Sequence, residues 1–518
     1  MRGRPPGEHA LFVWNNSSAA VAAAHSVDPD RWQRAFTEVI DRVAPRFARY
    51  EPLRHAASLL AGLMSGLDRK NCWTIAEHAG QATPDGLQHL LSRARWDADA
   101  VRDDLRGYVV EHFADPAAVL VVDETGDIKK GTDSVGVQRQ YTGTAGRIEN
   151  AQVAVFLTYA AARGHAFIDR ALYLPRSWTT DPDRCAAAGV PVETTFATKP
   201  ALAAAMITRA VTAGVPAAFV AGDEVYGADP MLRATVRRLG LGYVFQVAAN
   251  RRVVTDVGPL RVDQLPALVP AAAWQTYSAG AGSKGHRWYA WAWVAIHPDD
   301  PNDAEHRGQH HLLIRRNDHT GELAYLRCYT PTPVPLSRLV AVAGQRWRIE
   351  ESFQTGKGLT GLDQHQVRRW TSWHRWTTLA MLAHAFLAVT TATEREHSPT
   401  PVGLISLTVN EFRRLFDALL FTATHTMSKL LAWSTWRRRH QATARACHYR
   451  RREEQQLSRT TAVVLGRSPR RSAVIVVQRE AARFSGRVRR NPPTAGASRV
   501  RVGRDRRASR PVCSGARR

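Results

Sequence analysis

Cysteine is scarce in this chain: five among 518 residues, at Cys72, Cys185, Cys328, Cys447 and Cys513. No two form a Cys-x-x-Cys pair, which excludes a zinc ribbon or a disulfide scaffold and suits a reducing compartment. Long apolar runs are missing too. The longest, Leu379 to Val389, falls short of the roughly 20 residues a bilayer-spanning helix needs, and it contains His384. A buried core helix accounts for it better. Near the N-terminus, Arg2 and Arg4 precede an apolar stretch, Ala10 to Trp14, that is too short for a secretory signal. These absences point to a soluble intracellular protein. Acids are also outnumbered, with 46 Asp and Glu against 71 Lys and Arg, a net charge of +25. A polyanion is therefore the expected partner, nucleic acid before membrane. The excess is unevenly placed. From Arg437 to Arg518 there are 24 Arg, no Lys and 4 acids, so +20 sits there and only +5 on residues 1–436. Total charge alone says little about the folded body.

What is present supports a large core: 44% hydrophobic residues, 15 of them Trp, in a chain long enough for two to four domains. Residues 1–29 read as an irregular leader. From 30 to 115 the pattern is helical, with helices expected at Asp30–Ala48, Pro52–Leu67, Trp73–Ala79, Pro84–Arg93 and Asp97–Phe113. The third and fourth, joined through Gly80, fit a helix-turn-helix presenting Asp85, Gln88, His89 and Ser92. They fit an ordinary helical hairpin equally well.

At Ala117 the character changes. Ala-Ala-Val-Leu-Val-Val closed by Asp123 is the pattern of a strand buried on both faces. Strands are expected again at Ala151–Ala160 and Ala166–Leu174, separated from the first by a Gly/Thr-rich segment. A helix at 200–212, a strand Ala217–Ala221 ending in Gly222-Asp223-Glu224, a helix Pro230–Leu239 and a strand Tyr243–Ala248 follow. The order over 116–250 is β, β, β, α, β, α, β. Residues 251–335 read as a β-rich insertion, with strands expected at Arg287–Ile296 and His310–Ile314. The α/β pattern resumes over 336–395, including a buried helix near Thr377–Thr391. Residues 396–455 read as helical and end in the basic, aromatic-laced cluster Trp436-Arg437-Arg438-Arg439-His440, which suits either phosphate binding or a solvated face. Residues 456–518, rich in Arg, Ser, Gly and Pro, read as a disordered tail.

The stretch Arg346-Trp-Arg-Ile-Glu-Glu-Ser-Phe-Gln-Thr-Gly-Lys357 extends a helix-friendly run. At about 100° per residue, Glu350 lies roughly 40° around the axis from Arg346, and Lys357 roughly 20°. One acid and two cations thus share a face, whether as an i,i+4 ion pair or as a phosphate-binding constellation. In an open α/β sheet, chemistry gathers at the carboxyl ends of strands. Asp123 and Asp223 close two such strands, and the topology brings Glu350 to the same edge. Three carboxylates suit two divalent metals about 4 Å apart, which act on a phosphodiester. Mg²⁺, which prefers oxygen ligands, is the expected ion.

Over roughly residues 30–452 the chain resembles bacterial insertion-sequence transposases of the DDE class. The third motif resembles their YREK signature, R-x3-E-x6-K, through Arg346, Glu350 and Lys357. The signature's Tyr falls at Ala343 and is missing. Asp123 in Val-Val-Asp-Glu-Thr-Gly and Asp223 in Ala-Gly-Asp-Glu-Val-Tyr-Gly look like the first two acids. The resemblance implies an α/β fold: an RNase H-like mixed sheet flanked by helices, with a helical N-terminal domain and the β-rich insertion before the last catalytic helix. It implies that Asp123, Asp223 and Glu350 hold two Mg²⁺ ions, with Mn²⁺ as a substitute, and that Arg346 and Lys357 contact DNA. Lys129 and Lys130 are plausible DNA contacts or a solvated pair, and Arg437, Arg438 and Arg439 a further basic surface. The implied activity is cleavage at terminal inverted repeats and strand transfer into target DNA, by a homodimer in the cytoplasm at the nucleoid. A two-metal nuclease without strand transfer and an inactive DNA-binding remnant are the alternatives.

Overall fold

A computed structural model of the chain describes residues 28–282, 285–298, 308–397, 405–420 and 427–465. They fall into two compact units, divided at residue 425. The leader before residue 28 and the tail beyond 465 lie outside the described residues.

The first unit opens with five helices: α1 (Pro29–Val43), α2 (Tyr50–Met64), α3 (Cys72–His78), α4 (Asp85–Ser92) and α5 (Ala98–Phe113). Local chemistry sets several of their ends. Asp28 caps α1 by accepting from the Arg31 N–H, and Asn71 and Thr74 form a reciprocal capping box on α3. Helix α1 ends at Val43, short of the expected Ala48, because Pro45 cannot continue an α-helix. Trp32, Phe36, Val39 and Val43 recur on one stripe of α1 and are all buried.

The strands follow: β1 (Val119–Ile128), β2 (Gln138–Thr142), β3 (Arg147–Ala160) and β4 (His165–Leu172). Short helices α6 (Arg176–Thr179) and α7 (Pro182–Ala188) lead to α8 (Lys199–Thr212), β5 (Phe219–Gly222), the single turn α9 (Glu224–Gly227), α10 (Pro230–Arg238) and β6 (Gly242–Val247). Strand β3 pairs antiparallel with both β1 and β4, whereas β1, β5 and β6 run parallel. The order β4-β3-β1-β5-β6 makes this an RNase H-like mixed sheet. Hairpin partner β2, which the Gly/Thr-rich sequence does not announce, pairs with the first residues of β3.

One expectation needs correction. Asp123 does not end its strand. Strand β1 continues to Ile128, because the fourteen-residue β3 supplies ladder partners along its whole length. What stops near Asp123 is the parallel ladder to β5, whose last pair is Val121 with Ala221.

The insertion contributes β7 (Arg252–Thr255), β8 (Gly258–Arg261), β9 (Gln275–Gly282), β10 (Gly285–Ala295), β11 (Gln309–Arg316) and β12 (Leu323–Thr330). It is not a separate sheet. Strand β12 pairs antiparallel with β6, so β12-β11-β10-β9 extends the core sheet to ten strands, leaving β7 and β8 as a hairpin. Val253, Val262, Leu265, Ile296, Leu312 and Ile314 form a second buried cluster there.

The chain then returns through α11 (Leu336–Gln345), α12 (Trp347–Thr360) and α13 (Trp370–His397), and α14 (Val409–Leu420) follows. The expected single helix through the Arg346 motif is two helices with Arg346 at the join, and α12 runs through Gly356 to a left-handed Gly361 at its C-terminus. Helix α12 packs on β1, β3 and β4. Phe156, Phe167 and Phe353 meet there with ring centroids 5.1–5.5 Å apart. Helix α13 is long and apolar enough to cross a membrane by length and composition, yet 89% of its most apolar window is buried inside the protein. It is the central core helix, touching α1, α2, α4, α5, α12, α14 and β4.

The described residues of the second unit form α15 (Met427–Leu465). It runs ten residues beyond the expected helix limit of 455, and no Pro or Gly interrupts it before Gly466.

Candidate active site

The parallel register between β1 and β5 aligns Val121 with Ala221. Carried forward two residues on each strand, it sets Asp123 beside Asp223 at one edge of the sheet. Asp223 is also the N-cap of α9, its carboxylate accepting the Val225 N–H at 2.9 Å. Behind it, Gly227 lies so close to β6 that a Cβ would come within 2.0 Å of the Gln246 carbonyl oxygen. Only glycine lets the turn carrying Asp223 seat this closely.

Burial, Asp223 and Glu124 push the Asp123 carboxyl up to about 8. Asp223 is raised by burial and then by Glu124. Arg346 acts in the opposite sense on both. Among the described residues neither Asp has an ion-pair partner. Asp123 accepts only the Glu124 N–H, at 2.7 Å. Two adjacent acids lacking cations are under electrostatic stress that a bound cation relieves.

Glu350 lies on α12 and accepts from Arg346 at 2.9 Å. Arg346 thus pairs with Glu350 while its charge also acts on Asp123 and Asp223. The neighbouring acids are occupied elsewhere. Glu351 accepts from Arg348 at 2.9 Å and lies 3.3 Å from the His165 ring; that His165 hydrogen bond and Arg348 draw its carboxyl down to about 2. Glu124 points to the other side of the sheet, accepting from Lys199 at 2.5 Å and from the Tyr226 hydroxyl at 2.6 Å. Burial alone would raise Asp127, but the His365 ring 3.0 Å away and Lys129 outweigh it, and its carboxyl lies below the ordinary range.

The cations expected to meet DNA are differently placed. Lys357 donates to the Thr144 hydroxyl at 3.3 Å, bringing the β2–β3 turn against α12. Lys129 is half-buried and donates to the His365 carbonyl at 3.3 Å, which makes it part of the Asp127 network. Lys130 is exposed. Arg438 and Arg439 are exposed on α15, and Arg437 is half-buried there. In the α3–α4 pair, Asp85, His89 and Ser92 lie at or near the surface, while Leu87, Leu90 and Leu91 anchor α4 in the helical core. Sequence reasoning missed Lys199, Tyr226 and Thr144. Tyr226, one helical turn after Asp223, had a readable signal in its spacing. Lys199 and Thr144 reach the site only through the fold.

Do these residues fit divalent ions? The donors are carboxylate oxygens, which suit a hard cation, and Asp123 and Asp223 are adjacent, half-buried and, among the described residues, without an ion-pair partner. They fit. Glu350 is held by Arg346, and among the described residues no group of three His, Cys, Asp or Glu is assembled as a metal cluster.

Residues 42–268 match the family model of the DDE superfamily endonucleases, a segment holding Asp123 and Asp223 but ending before Glu350. A probable transposase for insertion sequence element IS701, from Microchaete diplosiphon, is 29% identical over 197 residues. That alignment covers 38% of this chain and 49% of the relative, so the chain spans about half the length of the curated relative it matches. The piggyBac transposase, solved as a synaptic complex with hairpin DNA, aligns over 78% of this chain and 84% of its own, at 12% identity and a TM-score of 0.37. The resemblance to DDE insertion-sequence transposases read from the motifs is borne out.

Proposed function

We propose, from the premise that this chain is a relative of the DDE superfamily endonucleases and of an insertion-sequence transposase, that it is itself a transposase. It cuts DNA at the terminal inverted repeats of its element and joins the freed 3′-hydroxyl to target DNA. The observation that carries this reading is the pair Asp123 and Asp223, side by side at the edge where two parallel strands part, both raised by burial and neighbouring acids. Two Mg²⁺ ions, with Mn²⁺ as substitute, would activate the attacking oxygen and stabilise the leaving one. Asp123 and Asp223 are the residues that would hold them, joined by Glu350.

The remaining work belongs to side chains. Arg346 is paired with Glu350. A backbone phosphate arriving at the edge offers Arg346 a competing bidentate partner. Its transfer to the phosphate releases Glu350 toward the two aspartates, so that the third acid is completed only when substrate is present. Lys357, tethered to Thr144, receives the adjoining phosphate. The helices of residues 28–113 read the ends, the basic face of α15 holds backbone phosphates, and two copies pair the ends as a homodimer.

The decisive experiment is Mg²⁺-dependent cleavage of a plasmid carrying the element's ends by wild type and by Glu350→Gln. Cleavage by wild type alone, with DNA binding retained by both, supports the assignment. Equal cleavage by both removes Glu350 from the site. End binding without cleavage by either marks an inactive DNA-binding protein, and nicked products without joined strands mark a nuclease.

A further inference from the structure

The ladder between β1 and β5 aligns the two strands but ends at Val121 and Ala221, two residues short of the acids, so no hydrogen bond of that ladder fixes Asp123 and Asp223 themselves. Another connection spans that gap. Tyr226 lies on the one-turn helix that Asp223 caps, and its fully buried ring carries a hydroxyl that donates to Glu124 at 2.6 Å. Glu124 is the residue next to Asp123. Its second carboxylate oxygen accepts from Lys199, the first residue of α8, at 2.5 Å. Both oxygens of Glu124 are therefore engaged on the face of the sheet away from α12.

We infer that Tyr226, Glu124 and Lys199 form a brace beneath the sheet edge that sets the spacing of Asp123 and Asp223. They are positioning residues. The inference rests on the reading that the two aspartates hold divalent cations. Each member has a separate task. Tyr226 ties the Asp223 turn to β1, because a shift of α9 would break its bond to Glu124. Glu124 transmits the tie to Asp123 through one peptide unit. Lys199 supplies the positive charge that keeps Glu124 turned down, and so keeps a third negative charge from swinging up among the ion ligands. Seating of Gly227 on β6 fixes the other end of the turn. Outer groups of this kind orient metal ligands, and losing one typically lowers metal affinity about 10- to 100-fold.

The test is a Mn²⁺ titration of the full-length protein without DNA, followed by calorimetry or by the electron paramagnetic resonance of free Mn²⁺. Tyr226→Phe removes one oxygen and keeps the buried ring; Lys199→Met keeps the stem and removes the charge. The expected result is a Kd for Mn²⁺ raised at least about tenfold in Tyr226→Phe. Cleavage should recover at saturating Mn²⁺, and Lys199→Arg should keep wild-type affinity where Lys199→Met does not. Thermal unfolding in chelator checks that each variant is folded. Wild-type Mn²⁺ affinity in folded Tyr226→Phe overturns the brace. Wild-type protein that binds no Mn²⁺, or whose binding survives Asp123→Asn, overturns the metal reading itself, and the brace with it.

Discussion

Two aspartates on one sheet live in opposite surroundings. Asp169 on β4 is 1% exposed, and its oxygens accept from Arg102 at 3.3 Å, Arg209 at 2.9 Å and the Arg170 N–H at 2.8 Å. Asp123 on β1 accepts one backbone N–H and has acids for neighbours, and burial with those acids lifts its carboxyl to about 8. The first aspartate is a joint between β4, α5 and α8, complete as it stands. The second is incomplete. An enclosed acid whose charge is matched is structural, whereas one surrounded by its own sign awaits something positive.

The contrast breaks most sharply at Asp123. Asp123→Asn should lower metal-dependent DNA cleavage about a thousandfold or more, since removing a ligand forfeits several kcal/mol of transition-state stabilisation. The metal-free fold should be as stable as wild type or more so, because the substitution removes a carboxyl whose ionised form burial and two neighbouring acids disfavour. Chelator-treated variant with a clearly lower midpoint in urea would show that Asp123 is a structural residue like Asp169. At Asp169 the signs reverse. Asp169→Asn should cost about 3 kcal/mol, because it removes the buried negative charge that Arg102 and Arg209 share, and urea unfolding measures this directly. A change under about 0.5 kcal/mol would mean that the arginines find other partners.

A third prediction concerns a buried base. His384 on α13 lies against Phe167 at 4.9 Å, and burial lowers its pKa to about 3. The unfolded chain binds this proton below about pH 6.5 and the folded protein does not, so stability falls as pH drops through that value. Between about pH 7.5 and 5.5 the loss from this one group is about 1.4 kcal/mol, and His384→Leu should flatten the pH dependence by that amount. An unchanged slope would mean that His384 titrates normally. The smallest effect belongs to α15. Replacing Arg437, Arg438 and Arg439 with Ala should weaken binding to any DNA sequence alike and lower the slope of log K against log salt by about 0.9 for each phosphate these arginines neutralise. An unchanged slope would return them to a solvated face.

Much of this was legible in the chain. The run Ala117–Val122 announced a buried strand, Gly222-Asp223-Glu224 a strand end and turn, and the 3.6-residue stripe of α1 its packed face. The β2 hairpin and most of the insertion strands were not legible. Residues such as Gln138–Thr142 have little apolar alternation, and their pairing is decided by β3. The same holds for the reach of β1 past Asp123, where Glu-Thr-Gly-Asp reads as a turn until a long antiparallel partner straightens it.

By itself the sequence determined which acids are candidates, that Arg346, Glu350 and Lys357 share a helical face, and where basic charge collects, because all of these follow from local spacing and composition. Tertiary structure alone decided which charges are matched. Whether a carboxylate meets Arg209, Lys199 or another carboxylate depends on segments tens of residues apart, brought together by burial of the sheet and of α13. That pairing, rather than the identity of the acid, separates Asp169 from Asp123.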